Sequence, residues 1–118
     1  MQRGYASVGL PPETAADDIA VYFHDVPPDV VAEATTHVPE QSMTPMEQPW
    51  PLDAWPDVPT RVLIGRDDRL FPAEFQVRVA KERLRLGGDV IPGGHIAALS
   101  HPVEVADQLE SYLRGLRN

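Results

Sequence analysis

Asp68 and His95 are the two side chains of this sequence whose placement invites chemistry. Asp68 lies in Gly65-Arg66-Asp67-Asp68-Arg69-Leu70-Phe71-Pro72 and His95 in Pro92-Gly93-Gly94-His95, each just after a short apolar run. An aspartate facing a histidine accepts the Nδ1 proton, fixes the tautomer and stabilises the imidazolium, which leaves Nε2 as a general base. The plainer reading is a turn or N-cap aspartate and an exposed loop histidine, and spacing by itself leaves both open. The other histidines are His24, His37 and His101. No two of the four stand at i, i+4, the spacing that turns two imidazoles toward one metal, so they are read as structural and no metal is expected. With no cysteine there is no thiolate ligand, thiol nucleophile or disulfide.

The elements that must position these residues are legible in residues 61–118. Val62-Leu63-Ile64 between Pro59 and Gly65 reads as a buried strand, and Asp89-Val90-Ile91 before Pro92-Gly93-Gly94 as a second. Between them, Ala73, Val77, Ala80 and Leu84 recur at helical spacing, with Pro72 at the start and Gly87-Gly88 as the predicted stop. A last helix from Pro102 carries Val105, Ala106, Leu109, Tyr112, Leu113 and Leu116. Strand, helix, strand, helix with short connections is a parallel α/β pattern, which brings the loops after both strands to one sheet edge.

Residues 1–60 differ in kind. They hold ten acidic residues against the single base Arg3, and ten of the 13 prolines. The run from Pro49 to Pro59 must be irregular, because dense prolines fix φ and remove amide donors. Ala15, Ile19, Tyr22 and Phe23 share one helical face, and a second helix is expected from Pro27-Pro28-Asp29 to about His37. The expected division is 1–60, a lid-like helical and Pro-rich region, and 61–118, a βαβα unit. At 118 residues with a net charge of −8, this is one small acidic domain. Nucleic acid is excluded as a partner because phosphate binding needs a basic surface. The basic residues Arg78, Lys81, Arg83 and Arg85 are balanced by Glu74 and Glu82 and read as solvated surface. Apolar stretches are too short for a membrane span, no secretory n- and h-regions follow Met1, and a cytoplasmic location is expected.

Gly65-x-x-Asp68-x-x-x-Pro72, then Gly94-His95, then Ser100-His101-Pro102 opening the last helix, resemble the C-terminal part of the α/β-hydrolase family. Tyr22-Phe23-His24-Asp25, Pro27-Pro28 and Pro51-Leu52-Asp53-Ala54-Trp55-Pro56 resemble the lid of its small bacterial esterase-like members. The resemblance implies an incomplete α/β-hydrolase fold: two parallel strands with flanking helices, preceded by an irregular helical lid region. It implies ester hydrolysis without a cofactor, with Asp68 as the acid and His95 as the base of a Ser-His-Asp triad. Met43, Met46, Trp50 and Trp55 could line an acyl pocket under the lid or simply pack a loop-rich cover.

The family's nucleophile sits in a Gly-x-Ser-x-Gly elbow, and these residues hold none. The serines are Ser7, Ser42, Ser100 and Ser111, and in Gly4-Tyr5-Ala6-Ser7-Val8-Gly9 the first glycine is one position too far away. The expectation is a chain inactive by itself, acting on a small ester-like substrate only when completed by the missing half. The alternative is a non-enzymatic dimerising or partner-binding module. An unpaired edge at 61–65 and partly covered helix faces predict a homo-oligomer, or a partner chain at the exposed sheet edge.

Overall fold

The computed structural model describes residues 18–117. In chain order its elements are α1 (Pro28–Thr35), α2 (Thr44–Glu47), β1 (Val62–Gly65), α3 (Ala73–Val79) continued by a π-helical turn (Ala80–Leu84), β2 (Gly88–Ile91), α4 (Ala97–Ser100) and α5 (Pro102–Arg117). Residues 18–22 are also helical. Ala15, expected on the face of that first helix, and Ser7 lie outside the described residues.

β1 and β2 are parallel, with Val62 opposite Gly88, Leu63 opposite Asp89, Ile64 opposite Val90 and Gly65 opposite Ile91. Parallel neighbours need a long crossover, here α3 and its π-helical continuation. The Arg66 N–H donates to the Ile91 carbonyl at 2.8 Å, carrying the ladder one step past β1. Among the described residues Ile64 is the largest side chain fully removed from solvent, with Ile91 and Ala80 also buried. Gly88 makes room for it, since a Cβ there would collide with Ile64 Cδ1.

The helix after Pro72 forms where its periodicity predicts, but it does not run to Gly87-Gly88. It ends at Arg85, which takes a left-handed conformation with φ 58°, at a cost of about 1–2 kcal/mol for a residue with a Cβ. The Arg85 and Leu86 N–H groups close the turn on the carbonyls of Lys81 and Ala80 at 3.1 and 3.2 Å. The early stop leaves Leu86 and Gly87 as connector and frees Gly88 to enter β2 opposite Val62.

α5 is amphipathic as expected, yet its packed stripe is Val105, Gln108 and Tyr112. Tyr112 Oη donates to Asp89 Oδ2 at 2.6 Å and ties the helix to β2. Leu109, Leu113 and Leu116 are exposed.

Before the sheet, α1 starts on Pro28 with Asp29 in its first turn, where the helix dipole favours an acid, and buries Val31. It ends at Thr35, two residues short of the expected limit. The Pro49–Pro59 run is irregular as its composition demands, with Trp50 and Trp55 stacked at 6.1 Å and the Trp55 indole N–H donating to Thr60 Oγ1 at 2.9 Å. No helix of the described residues is long and apolar enough to cross a membrane.

Candidate active site

The site begins with the turn that follows β1. Asp68 N–H donates to the Gly65 carbonyl at 3.3 Å, and Asp68 Oδ1 accepts the N–H groups of Leu70 (2.8 Å) and Phe71 (3.0 Å). A short acidic side chain gathering the amides just ahead of it is what makes aspartate a turn former. Its other oxygen, Oδ2, accepts Gln76 Nε2 from α3 at 3.0 Å. Gln76 is itself fixed, since Nε2 also donates to the Phe71 carbonyl at 2.6 Å.

The same Oδ2 meets His95 Nδ1 at 3.0 Å. The Asp68 side chain is only 6% exposed and that of His95 24%. Burial pushes the Asp68 carboxyl up, but the N–H groups of Phe71 and Leu70 and the His95 ring outweigh it, and the net displacement is downward. Asp68 is therefore a saturated, ionised acceptor. Neighbouring Asp67 is turned elsewhere: it pairs with the Arg66 guanidinium and accepts the Gly93 N–H, and these donors hold its carboxyl below the ordinary range.

His95 reaches Asp68 from the loop after β2. Gly93 in that loop has φ +131°, a conformation open to glycine, and its carbonyl accepts the Asp67 N–H at 2.8 Å. The ring is flanked by Tyr22, edge-on with centroids 5.4 Å apart, and by Phe71 at 5.8 Å. With Nδ1 engaged by the carboxylate, Nε2 is the nitrogen left for a reacting group. An open cleft of about 390 Å³ lies beside the pair, walled by Leu63, Ile91, Ile96, Ala97 and Val105.

Met43, Met46, Trp50 and Trp55 do not line this cleft. Met46, Trp50 and Trp55 are largely exposed. Of the serines, Ser42 sits at the start of α2 and hydrogen-bonds Thr44, and Ser111 is exposed on α5. Ser100 Oγ lies 3.0 Å from His101 Nδ1, and Asp25 Oδ2 lies 3.5 Å from that same nitrogen. A nucleophile and an orienting acid must address opposite ring nitrogens, so Ser100, His101 and Asp25 are not a proton relay. Among the described residues, no group of three or more His, Cys, Asp or Glu side chains could hold a metal ion.

Sequence reasoning passed over three contributors: Gln76, which completes the Asp68 shell, Tyr22, which flanks His95, and Asp25, whose Oδ2 accepts the Gly94 N–H at 2.8 Å. Gln76 left a faint signal as a polar residue one turn into the helix, between Phe75 and Val77. Asp25 falls in the Tyr22-Phe23-His24-Asp25 run, but nothing in that run points to its partner, a backbone amide 69 residues away.

Compared with known proteins, residues 2–108 match a family model described as "Alpha/beta hydrolase family". No curated protein and no solved structure matches.

Proposed function

Because the chain belongs to the alpha/beta hydrolase family, we propose that it carries the acid and the base of an ester-cleaving Ser-His-Asp triad, with Asp68 and His95 in those roles. Two parallel strands with flanking helices form an incomplete α/β-hydrolase fold. The observation that carries the reading is the 3.0 Å contact between His95 Nδ1 and a buried carboxylate already filled by three other donors. Such a carboxylate has no need to take the proton. It holds the ring in one tautomer and stabilises the positive charge that forms when Nε2 accepts a proton.

The nucleophile is a serine supplied from outside these 118 residues. As its Oγ bonds to the ester carbonyl carbon, its proton passes to His95 Nε2. The imidazolium then returns that proton to the departing alcohol, and water repeats the sequence to free the acid. Residues 18–60 act as the lid, and the substrate is a small ester. Without the nucleophile and its oxyanion donors, the base and its orienting acid forfeit the covalent step and most of the electrostatic stabilisation.

Two assays on a short-chain p-nitrophenyl ester test this. The 118-residue chain shows no hydrolysis that depends on His95. The same chain translated with the coding sequence preceding Met1 hydrolyses the ester, loses activity in His95→Ala, and falls about 10⁴-fold in Asp68→Asn, the scale for a lost orienting acid. Turnover by the extended protein that survives His95→Ala sinks the assignment. His95-dependent turnover by the short chain would place a nucleophile within it, with Ser7 the first to replace by Ala. The second reading, a non-enzymatic partner-binding module, is favoured by the exposed Leu109, Leu113 and Leu116 of α5. An inactive extended protein that still associates would select it.

A further inference from the structure

Two consecutive amides lead into His95, and each is held by a carboxylate. Gly93 N–H donates to Asp67 Oδ2 at 3.1 Å, and Gly94 N–H donates to Asp25 Oδ2 at 2.8 Å. Asp67 belongs to the same turn as Asp68. Asp25 comes from the corner between the 18–22 helix and α1.

That corner is seated closely. A Cβ on the buried Gly94 would lie 2.6 Å from His24 Cε1 and 2.7 Å from Asp25 Oδ1. From the β1 side, a Cβ on Gly65 would lie 2.5 Å from the Gly94 carbonyl oxygen. The Gly94 peptide is thus gripped between the end of β1 and the His24–Asp25 corner. The seating carries a cost, because Asp25 Oδ1 and His24 Nδ1 are buried without a hydrogen-bond partner among the described residues. A corner serving only to fill space would be apolar. The polar one supplies what an apolar one cannot, a charged acceptor for the amide that precedes His95.

We propose that Asp25 is a positioning residue for His95. By holding the Gly94 N–H it fixes the Gly93–Gly94 peptide, one residue before His95, and keeps Nδ1 within reach of Asp68. The lid corner and the base are then coupled: lifting the corner removes the acceptor from Gly94 and loosens the ring one residue later. Arg69 makes a second tie to the same stretch, donating to the Ala20 carbonyl at 3.3 Å. The proposal deepens the hydrolase reading and rests on its assignment of Asp68 and His95.

Nuclear magnetic resonance on the isotope-labelled 118-residue chain tests it without needing activity. In Asp25→Ala the Gly94 amide proton moves upfield, and the His95 Nδ1 proton exchanges with water about tenfold faster, the scale of one charge-assisted hydrogen bond. Asp25→Asn keeps a neutral carbonyl oxygen for Gly94 and moves both signals part of the way back, which loss of bulk packing does not explain. An unchanged Nδ1 exchange rate in a folded Asp25→Ala overturns the proposal. If Asp25→Ala does not fold, hydrogen exchange on the unmutated chain decides: a Gly94 amide as fast as an exposed loop amide overturns it, and a protected one supports it. The assignment of the pair fails separately, if Asp68→Asn leaves the His95 Nδ1 proton unmoved. Asp25 is then judged on the Gly94 and His95 backbone amides, which shift in Asp25→Ala if it positions the loop and stay put if it does not.

Discussion

Each oxygen of Asp68 accepts two donors: two backbone amides on Oδ1, and the Gln76 amide and His95 ring on Oδ2. Because these hold its carboxyl below the ordinary aspartate range despite burial, the side chain contributes to stability with a definite sign. A depressed folded value means the unfolded chain binds the proton first. The contribution is therefore complete above the unfolded aspartate value of about 3.9 and is lost as pH falls below it through the folded one. Asp68→Asn is expected to cost about 1–3 kcal/mol at neutral pH. It should also flatten the acid limb: denaturant midpoints measured downward from about pH 6 fall less steeply in the variant, and parallel limbs would show that Asp68 is not held as an anion. The family resemblance singles out Asp68 over Asp67, since only Asp68 stands at the matching distance from Gly65 and Pro72, and it is Asp68 that meets the His95 ring. Gln76 and Asp25 could not be found that way, because their partners are set by how the turn and the lid corner fold back.

At the scale of elements, apolar period and proline position marked both strands, the crossover helix and the last helix, because a run such as Val62-Leu63-Ile64 is stable only when buried and paired. Period identifies a helix and its apolar stripe, but not which stripe finds a neighbour. In α5 the neighbour lies under Val105, Gln108 and Tyr112, and the leucine stripe faces out. The helix stops ahead of Gly87-Gly88 for a related reason: two glycines are the cheaper place to turn, but the register of β2 needs Gly88 opposite Val62, beside Ile64. The close approach of β1 to the His95 loop gives an element-scale test. A Cβ on Gly65 would lie 2.5 and 2.7 Å from the carbonyl oxygens of Gly94 and Gly93, both rigid backbone. Gly65→Ala should therefore cost about 1–3 kcal/mol in thermal or denaturant unfolding, the range for overpacking. It should also weaken the His95–Asp68 contact, seen as faster exchange of the Nδ1 proton. A Gly65→Ala chain as stable as its parent, with that proton unmoved, would mean the loop is not wedged against β1.

For the whole molecule, the described residues leave apolar groups in water: Val103, Leu109, Leu113 and Leu116 on α5 and Val90 on β2 are each close to half exposed or more. In the two-stranded sheet of the described residues each strand also keeps one unpaired edge. The 118-residue chain by itself is therefore expected to self-associate through α5 and the sheet edge. Its net charge of −8 opposes this, and salt screens that repulsion over a Debye length of about 8 Å at physiological strength. Association should thus strengthen with added salt, the reverse of an ion-paired contact, and Leu109→Asp with Leu113→Asp should abolish it. Light scattering at micromolar concentration reads both. A folded monomer at all salt concentrations, with slow amide exchange at residues 61–65, would show that the Pro-rich first half covers the edge within one chain.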